Sequence, residues 1–457
     1  MKICNISITV IMDLIKMLTT CQIQETAEKV GFNKRKKGLK AATFLKTFTF
    51  GIWSLHEITL DQLAEKCCEA QYGLTLTKQA LSKRLKVGSE LLKELLGAAL
   101  AFACKQSVAT NNISILKQFK NVYVCDSTLI DLPDKLENVH QGIGDPNPKA
   151  STKLQIMFDV LHKRLKSIEL WPARGNDISY NSHIVENLCA GDLVIYDLGY
   201  FSMAAFKKIK EKGAFFLSRL KTNTSIYKEN KQVDLIEILS NSNGKVDEYV
   251  YIGARKEVRT EVRLIAIRLP ESVINERRRK AAQTAKRKGR TMKKEYSEFL
   301  AWNIMVTNLT ENMAETETVP QLYRVRWQIE LVFKAWKSHF NIGRFGQTGE
   351  DYFNCVLYGK LIMITLMTTL FSVGYHAVYY STRRTLSMIK FFKGLREKAN
   401  KLYEGITDLF NGAMLISHIL EAVTKRSLAD KRKRKTTEQI LMEIKYPLDS
   451  FTIAGIS

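Results

Sequence analysis

Apolar residues between positions 118 and 221 come in short uninterrupted runs, and each run has the length and β-branched or aromatic content of a buried strand. Two of them, Asn121-Val-Tyr-Val-Cys-Asp126 and Asp192-Leu-Val-Ile-Tyr-Asp197, end on an aspartate. The runs from Leu154 to Leu161 and from Leu165 to Trp171 flank His162-Lys-Arg and predict a hairpin. Helices are expected from Tyr180 to Ala190 and from Met203 to Lys212, and a strand from Ala214 to Leu220. Residues 1–117 have a different texture, with the spacing of helices throughout. There Thr59-Leu-Asp-Gln62 fits a capping box opening a helix through about Gln71. Tyr72-Gly-Leu makes a turn, and Thr77-Lys-Gln-Ala-Leu-Ser-Lys-Arg84 starts a second helix. That is a helix-turn-helix outline; the competing reading is an ordinary helical hairpin with a solvated basic face.

Residues 222–294 read as an insert: a short helix from Asp234 to Asn241, then strand-like Glu248-Tyr-Val-Tyr-Ile-Gly253 and Val262-Arg-Leu-Ile-Ala-Ile267. A charge run from Arg277-Arg-Arg-Lys280 through Lys294 follows, of the kind usually found on a solvated helix or loop. Residues 295–348 return to core texture, with a strand across Phe299 to Thr307 that contains Trp302, and then a helix. Residues 349–457 are expected to be helical, from the apolar stretch Leu357 to Tyr375 to a basic tail at Lys431-Arg-Lys-Arg-Lys435. The most apolar part, Leu361 to Tyr375, is too short to span a bilayer comfortably and predicts a buried core helix.

The helix at residues 323–337 carries the chemistry. At about 100° per residue, Tyr323, Arg326, Glu330 and Lys337 fall within about 60° of one another. Val325, Ile329, Val332, Phe333 and Trp336 take the opposite, core-facing side. In isolation such a face is an ordinary solvated edge with an i,i+4 ion pair between Arg326 and Glu330. The upstream strands change the balance, because an aspartate at the end of an apolar run costs desolvation energy unless it is paired, capped or bound to metal. Three carboxylates, Asp126, Asp197 and Glu330, suit two hard divalent cations about 3.5–4 Å apart, the arrangement of phosphodiester cleavage.

These residues resemble the insertion-sequence-four-like DDE transposases, whose signature is Y-x-x-R-x-x-x-E-x-x-x-x-x-x-K. Here it reads Tyr323-Arg-Val-Arg326-Trp-Gln-Ile-Glu330-Leu-Val-Phe-Lys-Ala-Trp-Lys337, with Asp126-Ser-Thr and Asp197-Leu-Gly-Tyr upstream in order. The resemblance implies an α/β, RNase H-like catalytic core with a β-rich insertion and flanking all-helical N- and C-terminal regions. It implies Asp126, Asp197 and Glu330 as the catalytic, metal-holding residues for two Mg²⁺ ions, with Mn²⁺ able to substitute. Tyr323, Arg326 and Lys337 would contact DNA, and Trp302 would stack on a flipped base. The implied reaction is cleavage at transposon ends and strand transfer into target DNA, through a hairpin. The implied partners are double-stranded DNA, both inverted-repeat ends and target, and a second copy of the chain in a synaptic homodimer. Relatives often carry Arg after the second aspartate, where Leu198 stands here; the departure removes a local DNA contact and leaves the metal ligand intact.

Charge agrees with this reading. Seventy Lys and Arg against 46 Asp and Glu in 457 residues leave +24, an excess suited to a polyanion. Eight cysteines occur without any C-x-x-C spacing and the seven histidines are scattered, so neither a zinc ribbon nor a disulfide framework is expected. No Gly-rich phosphate loop precedes a helix, which argues against ATP use. No signal peptide is read at Met1, and a cytoplasmic, nucleoid-associated protein without a membrane partner is expected. Two alternatives stand beside the transposase: an RNase H-like nuclease that cuts without strand transfer, and a helix-turn-helix regulator whose carboxylates are structural.

Overall fold

The computed structural model describes residues 12–13, 21–33, 38–53, 55, 58–105, 114–144, 148–345, 349–407 and 411–430. The basic clusters at Lys34–Lys37 and Lys431–Lys435 lie outside these. Ten strands are described: β1 (Val122–Leu132), β2 (Ala150–Asp159), β3 (Arg164–Pro172), β4 (Leu193–Tyr196), β5 (Phe215–Arg219), β6 (Ile226–Lys228), β7 (Lys231–Val233), β8 (Lys245–Ile252), β9 (Thr260–Arg268) and β10 (Trp302–Thr307). The chain divides into two compact units. One comprises the described residues within Met1–Ala109, Ser127–Gly175 and Ile329–Lys431; the other comprises those within Thr110–Asp126 and Asn176–Gln328.

The first unit is mainly helical. Thr59 caps the helix Leu60–Ala70 in the expected capping box, its hydroxyl accepting from the Gln62 N–H while Gln62 returns the bond to the Thr59 N–H. Thr77 caps the next helix, but that helix is only Lys78–Ser82, and the chain re-enters helix at Leu85–Lys105. The apolar stretch seen in the sequence becomes the 33-residue helix Glu350–Thr382, long and apolar enough to cross a membrane by length and composition. It is buried over 94% of its most apolar window, which is how a core helix behaves. Gly359 lets it pass the Thr47–Gly51 turn, since a Cβ there would meet the Phe48 carbonyl oxygen. Lys360, one residue on, is buried and donates to the carbonyl oxygen of Asn341 at 2.8 Å and to that of Arg344, and burial pulls its ammonium down to about 7. The predicted hairpin is β2–β3, paired antiparallel from Thr152↔Pro172 to Asp159↔Arg164. Its turn is tied by the buried Asp159, whose carboxylate accepts from the Leu161 and His162 N–H groups and from Arg164 Nε at 3.2 Å.

The second unit is built on a sheet of strand order β1-β4-β5-β10-β9-β8-β6-β7. β1, β4 and β5 are parallel, and β10, β9, β8, β6 and β7 follow antiparallel. Three local expectations shift. β1 runs on through Asp126 to Leu132 instead of ending there. The helix expected from Tyr180 is Asn181–Glu186 behind a 3-10 turn, Asp177–Tyr180. The strands of the insert continue the core sheet, because β10 takes β5 on one edge and β9 on the other. The charge run forms the helix Glu271–Arg287, in which Ile274 alone is buried, and a short return helix, Lys294–Phe299.

Candidate active site

The two strand aspartates meet because of register. β1 and β4 pair from Val122↔Leu193 to Cys125↔Tyr196, so the positions just beyond the last pair are Asp126 and Asp197. Cys125 and Tyr196 are fully buried, and burial lifts the pKa of both groups above its usual value. They form a dry floor behind two carboxylates that stay partly exposed, 25% for Asp126 and 42% for Asp197. Parallel strands direct both chains to the same sheet edge, which is where an open α/β sheet binds ligands. The other aspartate of the second run, Asp192, is different: it is buried, accepts from Asn121 Nδ2 and the Cys189 N–H at 2.8 Å each, and is spent on structure.

Arg326 joins the pair. Its guanidinium lies 3.8 Å from Asp126 Oδ2 and 3.7 Å from Asp197 Oδ1, so one cation serves both carboxylates at distances longer than a close ion pair. The signature segment is not the single helix expected: the helix Val319–Tyr323 passes into a 3-10 turn, Arg324–Trp327, before the helix Gln328–His339 begins. A 3-10 turn advances about 120° per residue instead of 100°, so positions three apart eclipse and Tyr323 lies on the side of Arg326. Tyr323 is buried, 4% exposed, and burial raises its phenol pKa, with Asp197 adding to the rise and Arg219 and Arg326 opposing it. Trp327 and Leu331 are exposed on the same segment.

Glu330 sits in the first turn of Gln328–His339 and is half-buried; Lys337, in its last turn, is exposed. Both belong to the mainly helical unit, whereas Asp126, Asp197, Tyr323 and Arg326 belong to the sheet unit. Among the described residues, no three His, Cys, Asp or Glu side chains converge closely enough to hold a metal ion. Trp302 opens β10 and is only 6% exposed, and its carbonyl oxygen accepts from Arg277 at 3.2 Å.

Arg219 is a neighbour that the sequence did not single out. It ends β5, with its guanidinium 5.1 Å from the centre of the Tyr323 ring. Nothing in the spacing could have signalled it, because the contact depends on β5 pairing with β10.

A family profile described as the transposase DDE domain matches residues 117–366. The chain is 28% identical over 464 residues to the transposase for insertion sequence element IS231B of Bacillus thuringiensis subsp. berliner, with 96% of each chain covered. It is 28% identical over 460 residues to that for IS1151 of Clostridium perfringens, covering 94% of this chain and 95% of the other. The cryo-EM structure of piggyBac transposase synaptic complex with hairpin DNA matches at TM-score 0.44 and 11% identity over 93% of this chain and 87% of that one, too slight a likeness to argue from.

Proposed function

The chain belongs to the DDE-domain transposases and is a DNA-cleaving, strand-transferring enzyme, and from that premise we propose a metal-dependent cut-and-paste reaction that passes through a DNA hairpin. The observation that carries the proposal is the side-by-side delivery of Asp126 and Asp197 by registered parallel strands, under one shared guanidinium. Two carboxylates that converge on a cation and remain partly exposed fit a hard divalent ion, and their oxygen donors suit Mg²⁺, or Mn²⁺ in its place. Asp126 and Asp197 would hold it, with Glu330 as the third carboxylate on the strength of the signature spacing. When bound, two such ions supply Lewis acidity to attacking and leaving oxygens.

The chain's own groups do the rest. Arg326 and Lys337 bind phosphates of the DNA end and orient the scissile bond, and the hydroxyl of Tyr323, buried beside Arg326, would hold the adjacent phosphate once uncovered. Water attacks the phosphodiester at the transposon end and frees its 3′-hydroxyl; that hydroxyl attacks the opposite strand, closing the hairpin and releasing the flanking DNA with a 3′-hydroxyl. A second water opens the hairpin, and the regenerated transposon 3′-hydroxyl attacks the target, displacing a target 3′-hydroxyl. Closing a hairpin needs a tight strand reversal, which is relieved by flipping one base onto an aromatic face. Trp302 is that face in this reading, and its indole must be uncovered before a base can reach it. The sheet unit is then the RNase H-like core, extended by the insert, and two copies of the chain pair the two ends at the nucleoid.

The test uses an end-labelled duplex carrying the DNA that flanks the reading frame, incubated with Mg²⁺ and run on a denaturing gel. Nicks followed by hairpins are expected, and Trp302→Ala should keep the nick and lose the hairpin. A parent that only nicks is a nuclease, and loss of both products in the variant marks Trp302 as core.

A further inference from the structure

We propose that Arg219 and Arg277 form a paired guanidinium site for a backbone phosphate of the DNA strand lying across Asp126 and Asp197. The proposal rests on the transposase reading and adds a binding site outside the signature residues. Two separate elements deliver the pair. Arg219 ends β5, which is held to β10 by the Met305↔Arg219 register and by the Leu220 N–H bonding to the Ile304 carbonyl at 3.1 Å. Arg277 comes from the charged helix Glu271–Arg287 and reaches the Trp302 carbonyl, two residues from Ile304. Arg219 thus leaves β5 opposite Met305, Arg277 reaches β10 three residues back at Trp302, and the two guanidinium groups are near enough to feel each other's charge.

Neither arginine is neutralised among the described residues. Among the described residues no carboxylate pairs with Arg219 or Arg277, although other arginines nearby find one: Arg278 bonds Glu298, and Arg268 bonds Glu271 at 2.8 Å. Arg277 is half-buried, and burial first and the Arg219 charge second draw its pKa below the usual arginine range. A fold that holds two like charges together, one of them partly desolvated, bears a repulsion that an anion between them would remove. Each guanidinium also keeps donors to spare, because Arg277 commits one N–H to Trp302 and Arg219 offers its face to the Tyr323 ring.

The ligand class follows from position. Tyr323 lies beneath Arg219 and beside Arg326, and Arg326 touches both aspartates. An anion at Arg219 and Arg277 is thus one step along the sheet edge from the carboxylates, which is the relation of one backbone phosphate to the next on a strand whose scissile bond sits at the aspartates. A planar fork on each side suits the two free oxygens of a phosphodiester.

The experiment measures binding of the full chain to a 40-base-pair duplex of arbitrary sequence, with no metal added, across a salt series. The slope of log K against log salt should fall by about one for Arg219→Gln, about one for Arg277→Gln and about two for the double variant. Arg219→Lys and Arg277→Lys should keep the slope, since they keep the charge. Arg279→Gln, exposed on the same helix, serves as the comparison for diffuse attraction. Slopes equal to the parent's in the Gln variants would overturn the site, as would equal losses in the Gln and Lys variants, which would mark a packing role. A parent with no salt-dependent DNA binding would instead fail the functional reading together with this site.

Discussion

The sheet unit contains two arginine–aspartate arrangements that differ in nearly every respect. Arg263 on β9 and Asp247 on β8 form a closed pair, with the arginine side chain fully buried and its Nε and Nη2 bonded to the two carboxylate oxygens at 2.7 and 2.6 Å. The remaining arginine nitrogen donates to the Ala314 carbonyl at 2.7 Å, and the Thr316 hydroxyl donates to Asp247. Burial by itself would push the Asp247 carboxyl up; the hydrogen bonds from Arg263 and Thr316 outweigh it and hold the group below its usual range. Arg326 with Asp126 and Asp197 is the reverse: one cation for two carboxylates, contacts near 3.7–3.8 Å, and all three side chains partly exposed. A pair closed on both carboxylate oxygens at short range stabilises; a group held at longer range and open to solvent is placed to admit a ligand.

Removing charge from the open site should have the largest effect and show it only in catalysis. Asp126→Asn and Asp197→Asn should each lower Mg²⁺-dependent cleavage by about a thousand-fold or more, since several kcal/mol of transition-state stabilisation depend on the metal ligands. Urea unfolding should move by less than about 1 kcal/mol, as expected for partly exposed groups. Normal cutting by either purified variant would remove that residue from the site.

The closed pair should respond the other way. Arg263→Met leaves a carboxylate buried without its partner and should cost about 3–5 kcal/mol in urea unfolding, with a matching drop in melting temperature. The double change Arg263→Met with Asp247→Leu should recover part of that loss. A neutral Arg263→Met would break the contrast, because it would show that the tight geometry contributes nothing.

The smallest shift is expected for Arg326→Ala, and it sharpens the comparison most. Folding stability should change by under about 1 kcal/mol, while the salt slope of DNA binding falls by about one. Urea titration and binding isotherms on the same preparation separate the two. A stability loss as large as that of Arg263→Met would mean that Arg326 is structural.

Much of this was legible along the chain. The two apolar runs ending in aspartate are β4 and the start of β1, and the capping box at Thr59 forms as its spacing requires. The charge run becomes a solvated helix, as such runs usually do. The helical wheel for residues 323–337 assumes one continuous α-helix; the 3-10 turn Arg324–Trp327 interrupts it, and Tyr323, which the wheel set on the outward edge, is buried. The small hairpin of β6 and β7 gave too few residues for a period to register.

What the sequence determined by itself are features set within one turn or one strand: element types, caps, and the positions of Asp126, Asp197 and Arg326 in them. Only tertiary structure decided which edges pair. β10 joins β5 to β9, and with that choice the insert becomes part of the core sheet and Arg219 comes to lie over Tyr323. The Arg263–Asp247 pair depends likewise on β8 lying beside β9. The physical reason is that backbone hydrogen bonds are the same for every strand, so the pairing of distant edges is settled by which apolar faces and charges the whole fold can bury together.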